Sequence, residues 1–159
     1  MTSPANKVQI LLAFWKRLTR VTQLTYQAQT KSKEETGWSG KGQGEVIVTK
    51  DVKNTLIFRE RGIWQGKQGI ELSFSNTYRW TLDTNTSLIS LEHLRHGSER
   101  PVFLFHLTLN SKHSLISVDP HLCGRDNYLG QIYFDSHIIR FNWRIMGPKK
   151  NEEINYYYS

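Results

Sequence analysis

The sequence has 159 residues, a single cysteine and a net charge of +7. Its 38% hydrophobic and 12% aromatic content excludes a disordered chain, and its length suits one hydrophobic core rather than two. One cysteine excludes an internal disulfide, and no apolar run approaches the roughly 20 residues of a membrane-spanning helix. We therefore expect a single domain over residues 1–159 in a reducing, cytoplasmic compartment.

The first predicted element is an amphipathic helix over about residues 4–18. Ser3 suits the N-cap position, and Pro4 suits the first position of a helix. The apolar residues recur at helical spacing: Val8, Leu11, Leu12, Trp15 and Leu18, with Ile10 and Phe14 widening the stripe. We expect this face to pack on a core. Because Lys16 and Arg17 follow the apolar run without a small-residue cleavage site, we do not expect a signal peptide.

From residue 20 onward, apolar and polar residues alternate with a period of two, as in half-buried strands. Polar turn segments separate the predicted strands, which cover about residues 24–29, 45–48, 56–63, 70–82, 88–95, 101–109, 115–118, 129–135, 138–146 and 154–158. Short hairpin connections favour an up-and-down barrel, because closure removes exposed sheet edges. The predicted fold class is mainly β: a single antiparallel barrel of eight to ten strands over about residues 20–158, with the helix packed against or plugging one end.

The glycine-rich run at residues 40–44 has the sequence Gly-Lys-Gly-Gln-Gly. It lacks the Gly-Lys-Ser/Thr ending of a phosphate loop, and no helix is predicted after it. We expect a bend or bulge in a curved barrel strand.

Residues 118–128 concentrate reactive side chains in a short loop that runs into a strand. This segment holds one imidazole, the only thiol, two carboxylates and a guanidinium. His121, Cys123 and Asp126 are candidate catalytic residues, with Cys123 either a nucleophile or a small buried hydrophobe. We expect Asp126 to be held by loop amides or by Arg95, and the loop to cover the end of the barrel that carries His93.

His93 and Arg95 end a predicted strand and share a face with Ile89 and Leu91. His93 could donate a proton or bind a ligand, and Arg95 could hold an anion. The alternative is a packed histidine beside a surface arginine. His93, His106 and His121 are equal candidates for a haem ligand. A metal site from His93, His121, Cys123 and Asp126 is conceivable, but these residues have neither paired Cys-x-x-Cys spacing nor a His-x-x-x-His helix pair. We therefore predict neither a metal nor a cofactor.

Three longer segments carry a resemblance to a known family: His93-Leu94-Arg95-x-Gly97, Pro120-His121-x-Cys123-Gly124-x-Asp126-x-Tyr128, and Trp143-Arg144-x-x-Gly147-Pro148-Lys149-Lys150. With these segments, the leading helix and Tyr78-Arg79-Trp80, the chain resembles an uncharacterised microbial family, a domain of unknown function with a calycin-like barrel. The resemblance implies a fold like that of lipocalins or fatty-acid-binding proteins. It implies no activity, cofactor or catalytic residue.

The leading hypothesis is a barrel that binds one small apolar or amphipathic acidic ligand. Arg95, Arg79 or Arg144 would pair with the acidic head group. The side chains expected to enclose the rest of the ligand are Trp80, Phe105 and Trp143, with His93, His121 and Asp126 as further ligand contacts.

Two other functions stay open, and we assign no oligomeric state. A small cofactor-independent enzyme (an isomerase, cyclase or hydrolase) would use His93 or His121 as acid or base, Asp126 to orient an imidazole and Arg95 to hold an anionic substrate. An interaction protein would use residues 1–33, which hold six basic residues and no acidic one. The functional alternatives for that segment are a nucleic-acid or an anionic-membrane surface; we favour a solvated helix face and do not expect nucleic acid as a partner.

Overall fold

The computed structural model of the chain describes residues 3–30, 39–66, 69–118, 121–123 and 125–159, without the side chains of residues 4, 5 and 121–123. In these residues, helix α1 (Pro4–Leu18) precedes eleven strands. The strands are β1 (Gln23–Thr30), β2 (Gly40–Lys50), β3 (Thr55–Gly66), β4 (Glu71–Asp83), β5 (Leu88–His93), β6 (Val102–Ser111), β7 (Ser114–Ser117), β8 (His121–Cys123), β9 (Asp126–Phe134), β10 (Ile139–Met146) and β11 (Asn151–Tyr158).

The strands form one antiparallel sheet that closes on itself. Most neighbours in sequence are neighbours in the sheet, and β1 pairs with both β2 and β11. β10 takes one side of β9, while β7 and β8 lie one after the other along the opposite side. β7 and β8 thus act as two halves of one barrel strand. The result is a closed ten-stranded barrel with one N-terminal helix, which confirms the predicted fold class.

Helix α1 begins at the predicted residue and packs against one end of the barrel. The Ser3 hydroxyl accepts a hydrogen bond from the Asn6 amide at 3.3 Å, as an N-cap does. The Phe14 ring lies 4.9 Å from the ring of Phe134, centroid to centroid, at the end of β9. The Arg17 guanidinium donates to the carbonyl oxygen of Asp135 at 3.3 Å. These contacts attach the helix to the end where β9 finishes and β1 starts.

The buried face of α1 is narrower than the sequence predicts. Leu11, Phe14 and Leu18 are almost fully buried, whereas Leu12 is 46% exposed. Leu12 follows Leu11 by about 100° around the helix, which turns it away from the barrel. No helix in the described part of the chain is both long and apolar enough to cross a membrane.

Strand alternation separates the inside of the barrel from the outside. Along β10, the residues Ile139, Phe141, Trp143 and Ile145 are buried, and the residues between them are half-buried or exposed. Trp80, Phe58 and Phe105 belong to the same continuous core. The aromatic face of each strand therefore points inward.

The glycines of β2 make room for two aromatic rings. The register of β2 with β1 and with β3 runs without a shift, so the expected bulge does not occur there. A side chain at Gly42 would collide with the Tyr26 ring, and one at Gly40 would lie 2.7 Å from the Trp64 indole nitrogen. Glycine at these positions leaves room for both rings.

A stability comparison of Phe14→Ala with Leu12→Ala tests this docking of the helix. Phe14→Ala removes a fully buried ring and should lower the free energy of unfolding by about 3–5 kcal/mol. The exposed Leu12 shares the helix and the change to alanine, and its loss should stay below about 1 kcal/mol. Urea unfolding followed by tryptophan fluorescence measures both values. Equal losses would mean that the helix packs by a different face.

Candidate ligand-binding site

A cavity of about 680 Å³ occupies the end of the barrel opposite α1. It is lined by residues late in β1 and early in β11, whereas the helix packs where β1 starts and β9 ends. Much of the wall is aromatic and includes Trp64, Phe74, Phe103, Tyr128 and Trp143. This volume and lining are typical of sites that take one small molecule.

His93 and Arg95 both line this cavity, as the sequence predicts for one face of β5 and its extension. The His93 ring stacks on Tyr78, with 4.8 Å between centroids. Burial lowers the pKa of His93, and the positive charges of Arg95 and His96 lower it further, so the imidazole is neutral at pH 7. Arg95 is exposed and makes no hydrogen bond or ion pair with another described residue. No described residue therefore occupies its guanidinium at the cavity.

The three predicted aromatic ligand contacts divide between the wall and the core. Trp143 lines the cavity. Trp80 and Phe105 do not: each is fully buried against Phe141, with ring centroids 5.8 Å and 5.7 Å away. Phe105 also meets Trp143 edge-on at 5.2 Å. These two side chains support the cavity wall from behind.

Arg79 and Arg144 lie on the outer face of the barrel. Each alternates with buried residues that point inward, and neither lines the cavity. The Arg79 Nε donates to Glu92 Oε1 at 2.9 Å across the β4–β5 pair. Among the predicted arginines, Arg95 is therefore the one beside the cavity.

Asp126 and its neighbours in the predicted reactive loop form the β8–β9 hairpin. Tyr128 lines the same cavity as His93, so the hairpin lies at the expected end of the barrel. The Asp126 carboxylate pairs with Lys150 Nζ at 3.7 Å and packs against Gly147, instead of meeting Arg95. The absence of a side chain at Gly147 leaves the carboxylate room to approach the β10–β11 turn.

The catalytic candidates are thus not brought together in the described part of the structure. His93 faces the cavity, while Asp126 pairs with a lysine. The side chains of His121 and Cys123, and all of residues 119, 120 and 124, lie outside what is described. Among the described residues, no three His, Cys, Asp or Glu side chains are grouped to hold a metal ion.

Glu60 is a buried carboxyl group that the sequence-based selection of site residues missed. Its side chain is inside the barrel, with the residue only 2% exposed. The Tyr158 hydroxyl donates to Glu60 Oε2 at 2.6 Å, and Oε1 has no hydrogen-bond partner among the described residues. Burial raises the pKa of Glu60 to about 8 against the opposing effect of the Tyr158 hydrogen bond.

Polar side chains surround Glu60 on neighbouring strands. The tyrosines that interact with its charge are Tyr26, Tyr78, Tyr156 and Tyr158, and the first three line the cavity. Asn76, directly opposite Glu60 in the β3–β4 register, also lines it. The alternation of residues along β3 could have identified Glu60 in the sequence. Glu60 shares the inward face of the strand with Phe58, while Arg59 and Arg61 share the outer face.

The buried carboxyl group predicts an unusual pH dependence of stability. The ordinary pKa of the Glu60 carboxyl is 4.5, and in the fold it is about 8. Between these two pH values the folded state therefore holds more protons than the unfolded state. Its contribution to the free energy of unfolding should therefore fall as pH rises, by at most about 1.4 kcal/mol per pH unit. Urea unfolding of wild type and Glu60→Gln at pH 5, 6.5 and 8 isolates this effect. Parallel pH profiles would contradict it.

Comparison with known proteins identifies a family but no characterised relative. No curated protein and no solved structure matches the chain. The model of a family of unknown function (DUF6314) matches residues 18–159, which include every strand of the barrel. The chain belongs to this family of unknown function.

Proposed function

We propose that the protein is a calycin-like barrel that binds one small amphipathic molecule with an acidic head group. The observation that carries the proposal is the guanidinium of Arg95, which pairs with no described residue and lies at an aromatic-lined cavity. The ligand's apolar part would lie among the rings inside, and its acidic group would meet Arg95. We also propose a cytoplasmic location, which the single cysteine favours.

The aromatic lining of the cavity and Arg95 would contribute to binding in different ways. Covering apolar ligand surface contributes roughly 25 cal/mol for each Å² removed from water. A guanidinium donates two parallel hydrogen bonds to a carboxylate, which adds orientation as well as affinity. His93, neutral because of its lowered pKa, can donate one more hydrogen bond without adding charge. Since His93 is the one catalytic candidate at the cavity among the described side chains, we favour binding over catalysis.

A binding comparison of Arg95→Gln with Arg100→Gln tests the anion site. Both variants remove one positive charge from the segment after β5, but Arg100 does not line the cavity. We expect wild type to bind dodecanoic acid in isothermal titration calorimetry, and Arg95→Gln to bind it about tenfold more weakly, a loss of about 1.4 kcal/mol. Arg100→Gln should keep the wild-type affinity.

Native mass spectrometry and organic extraction of the purified protein provide the matching search for a natural ligand. Recovery of an amphipathic acid would support the proposal. If wild type fails to bind dodecanoic acid, or if both variants lose affinity equally, Arg95 does not hold a ligand acid at the cavity.

A basic groove beside α1 supports a second candidate function, contact with an anionic membrane surface. Exposed Leu12 and Val52 lie in the groove, and Val52 is 69% exposed. Its cations come from the helix and the β2–β3 turn: Lys16, Arg20, Lys50 and Lys53, none of which pairs with a described acid, although Asp51 lies among them. Exposed apolar side chains with several free cations suit anionic lipid head groups.

Charge reversal tests the groove. Lys16→Glu/Arg20→Glu should weaken sedimentation with phosphatidylserine-containing vesicles by more than tenfold, since each basic residue near such a surface contributes about 1 kcal/mol. Arg59→Glu/Arg61→Glu makes the same charge change on exposed residues of β3 and serves as the control. Arg17 is left intact because it anchors the helix to Asp135. Equal losses in both variants would indicate general electrostatics rather than this groove.

A further inference from the structure

We propose that the ligand of the cavity is an aromatic acid, in which a planar ring system is joined to a carboxylate by one or two carbons. This inference rests on the proposed binding function and names the class of ligand more closely. The ring system lies against the aromatic side chains of the cavity, and the carboxylate meets Arg95. Arylacetic and arylpropionic acids belong to this class.

The first support is a continuous network of six aromatic rings that all line the cavity. Each ring centroid lies between 4.8 and 6.1 Å from the next, in the order Phe74, Tyr26, Tyr156, Trp143, Tyr78 and His93. The network crosses the barrel, because Tyr78 on β4 and Trp143 on β10 belong to strands that are not neighbours in the sheet. A ligand in the cavity therefore meets rings that come from several strands.

The second support is the uncovered surface of some of these rings. Three members of the network are almost fully buried, but Tyr26, Phe74 and His93 are only half-buried. Phe103 on β6, another half-buried ring, also lines the cavity. Tyr26 and Phe74 lie on the inward faces of β1 and β4, so their uncovered surface borders the cavity. Covering this apolar surface with a ligand is favourable.

The composition and rigidity of the wall favour a planar aromatic group over a flexible alkyl chain. Phe, Tyr and Trp supply eight of the nineteen described residues at the cavity, although they make up 12% of the chain. The rings hold one another in place, and a hydrogen bond joins the side chains of Tyr78 and Tyr156. Stacked and edge-to-face contacts between rings add affinity beyond the area that they cover. A rigid ligand also loses less conformational freedom on binding than an alkyl chain does.

The third support is the position of Arg95, which favours an acid group close to the ring system. Arg95 follows His93, the last ring of the network, by two residues, and both side chains line the cavity. The guanidinium pairs with no described residue, and no described acidic side chain lines the cavity. Its parallel N–H donors fit a carboxylate. Because the network ends beside Arg95, a linker of one or two carbons suits this arrangement.

Calorimetry at pH 7 with two acids of the same carbon skeleton tests the inference. 2-Naphthaleneacetic acid is planar and aromatic, whereas decahydro-2-naphthaleneacetic acid has the same carbon atoms and carboxylate in a saturated, puckered ring system. The saturated acid has more apolar surface, so burial of area alone favours it. We expect wild type to bind the aromatic acid about tenfold more tightly, because only that acid makes ring contacts.

The wild-type measurements separate this inference from the proposed function. Equal affinities, or tighter binding of the saturated acid, would overturn the aromatic ligand class and leave the binding function standing. The same holds if dodecanoic acid binds and neither ring acid does. If none of the three acids binds, the proposed function is overturned together with this inference.

Phe74→Leu and Phe134→Leu provide a matched pair of variants. Both remove a half-buried ring that packs against the core, but Phe134 does not line the cavity. Phe74→Leu should reduce the preference for the aromatic acid to about threefold, because it removes one ring contact. Its affinity for the saturated acid should stay within about twofold of wild type. Phe134→Leu should keep the tenfold preference.

Phe103→Leu provides a second cavity variant on a different strand, in case Phe74→Leu does not fold, and it should also reduce the preference. Arg95→Gln should weaken both ring acids by the same factor and leave the preference unchanged, because it removes the head-group contact alone. Equal losses of preference in Phe74→Leu and Phe134→Leu would overturn the inference. An unchanged preference in both Phe74→Leu and Phe103→Leu would do so as well.

Discussion

The pairing of β1 with β11 is the interaction on which the rest of the structure depends. It runs from Leu24 opposite Tyr158 to Thr30 opposite Glu152, and it joins the two ends of the sheet. The Thr22 and Gln23 amides both donate to the Ser159 carbonyl, at 2.9 and 3.0 Å. Without this seam the sheet would have two open edges and no interior. Because the sheet closes, the alternation of residues along each strand places one set of side chains inside the barrel and the other set outside.

The same seam concentrates polar groups inside the barrel. Tyr26 and Tyr156 face each other across it, with ring centroids 5.3 Å apart, and Tyr156 stacks on Tyr158. Tyr158 carries the hydroxyl that reaches Glu60 on β3. A carboxyl with a raised pKa lowers stability at neutral pH, because the fold must take up a proton that the unfolded chain does not hold.

Because the helix packs on one end of the barrel only, the two ends differ in structure. At one end Leu11, Phe14 and Leu18 extend the core and leave a basic groove outside. At the other end, aromatic walls surround an open cavity with His93 and Arg95. Both proposed functions use surfaces that this asymmetry creates, and they lie at opposite ends of the barrel. A ligand in the cavity and a membrane at the groove would therefore not compete for the same side chains.

The sequence by itself determined the helix at residues 4–18, the order of strands, the barrel class and His93 with Arg95 on one face, because capping and periodicity are local properties. Only the tertiary structure decided which face is the lumen. It placed Arg79 and Arg144 outside, Trp80 and Phe105 behind the wall, and Asp126 beside Lys150. It also buried Glu60 inside the barrel, behind the residues that line the cavity. A period of two defines two faces, but the direction in which the sheet curls, and the residues that meet across strands, depend on contacts far apart in the chain.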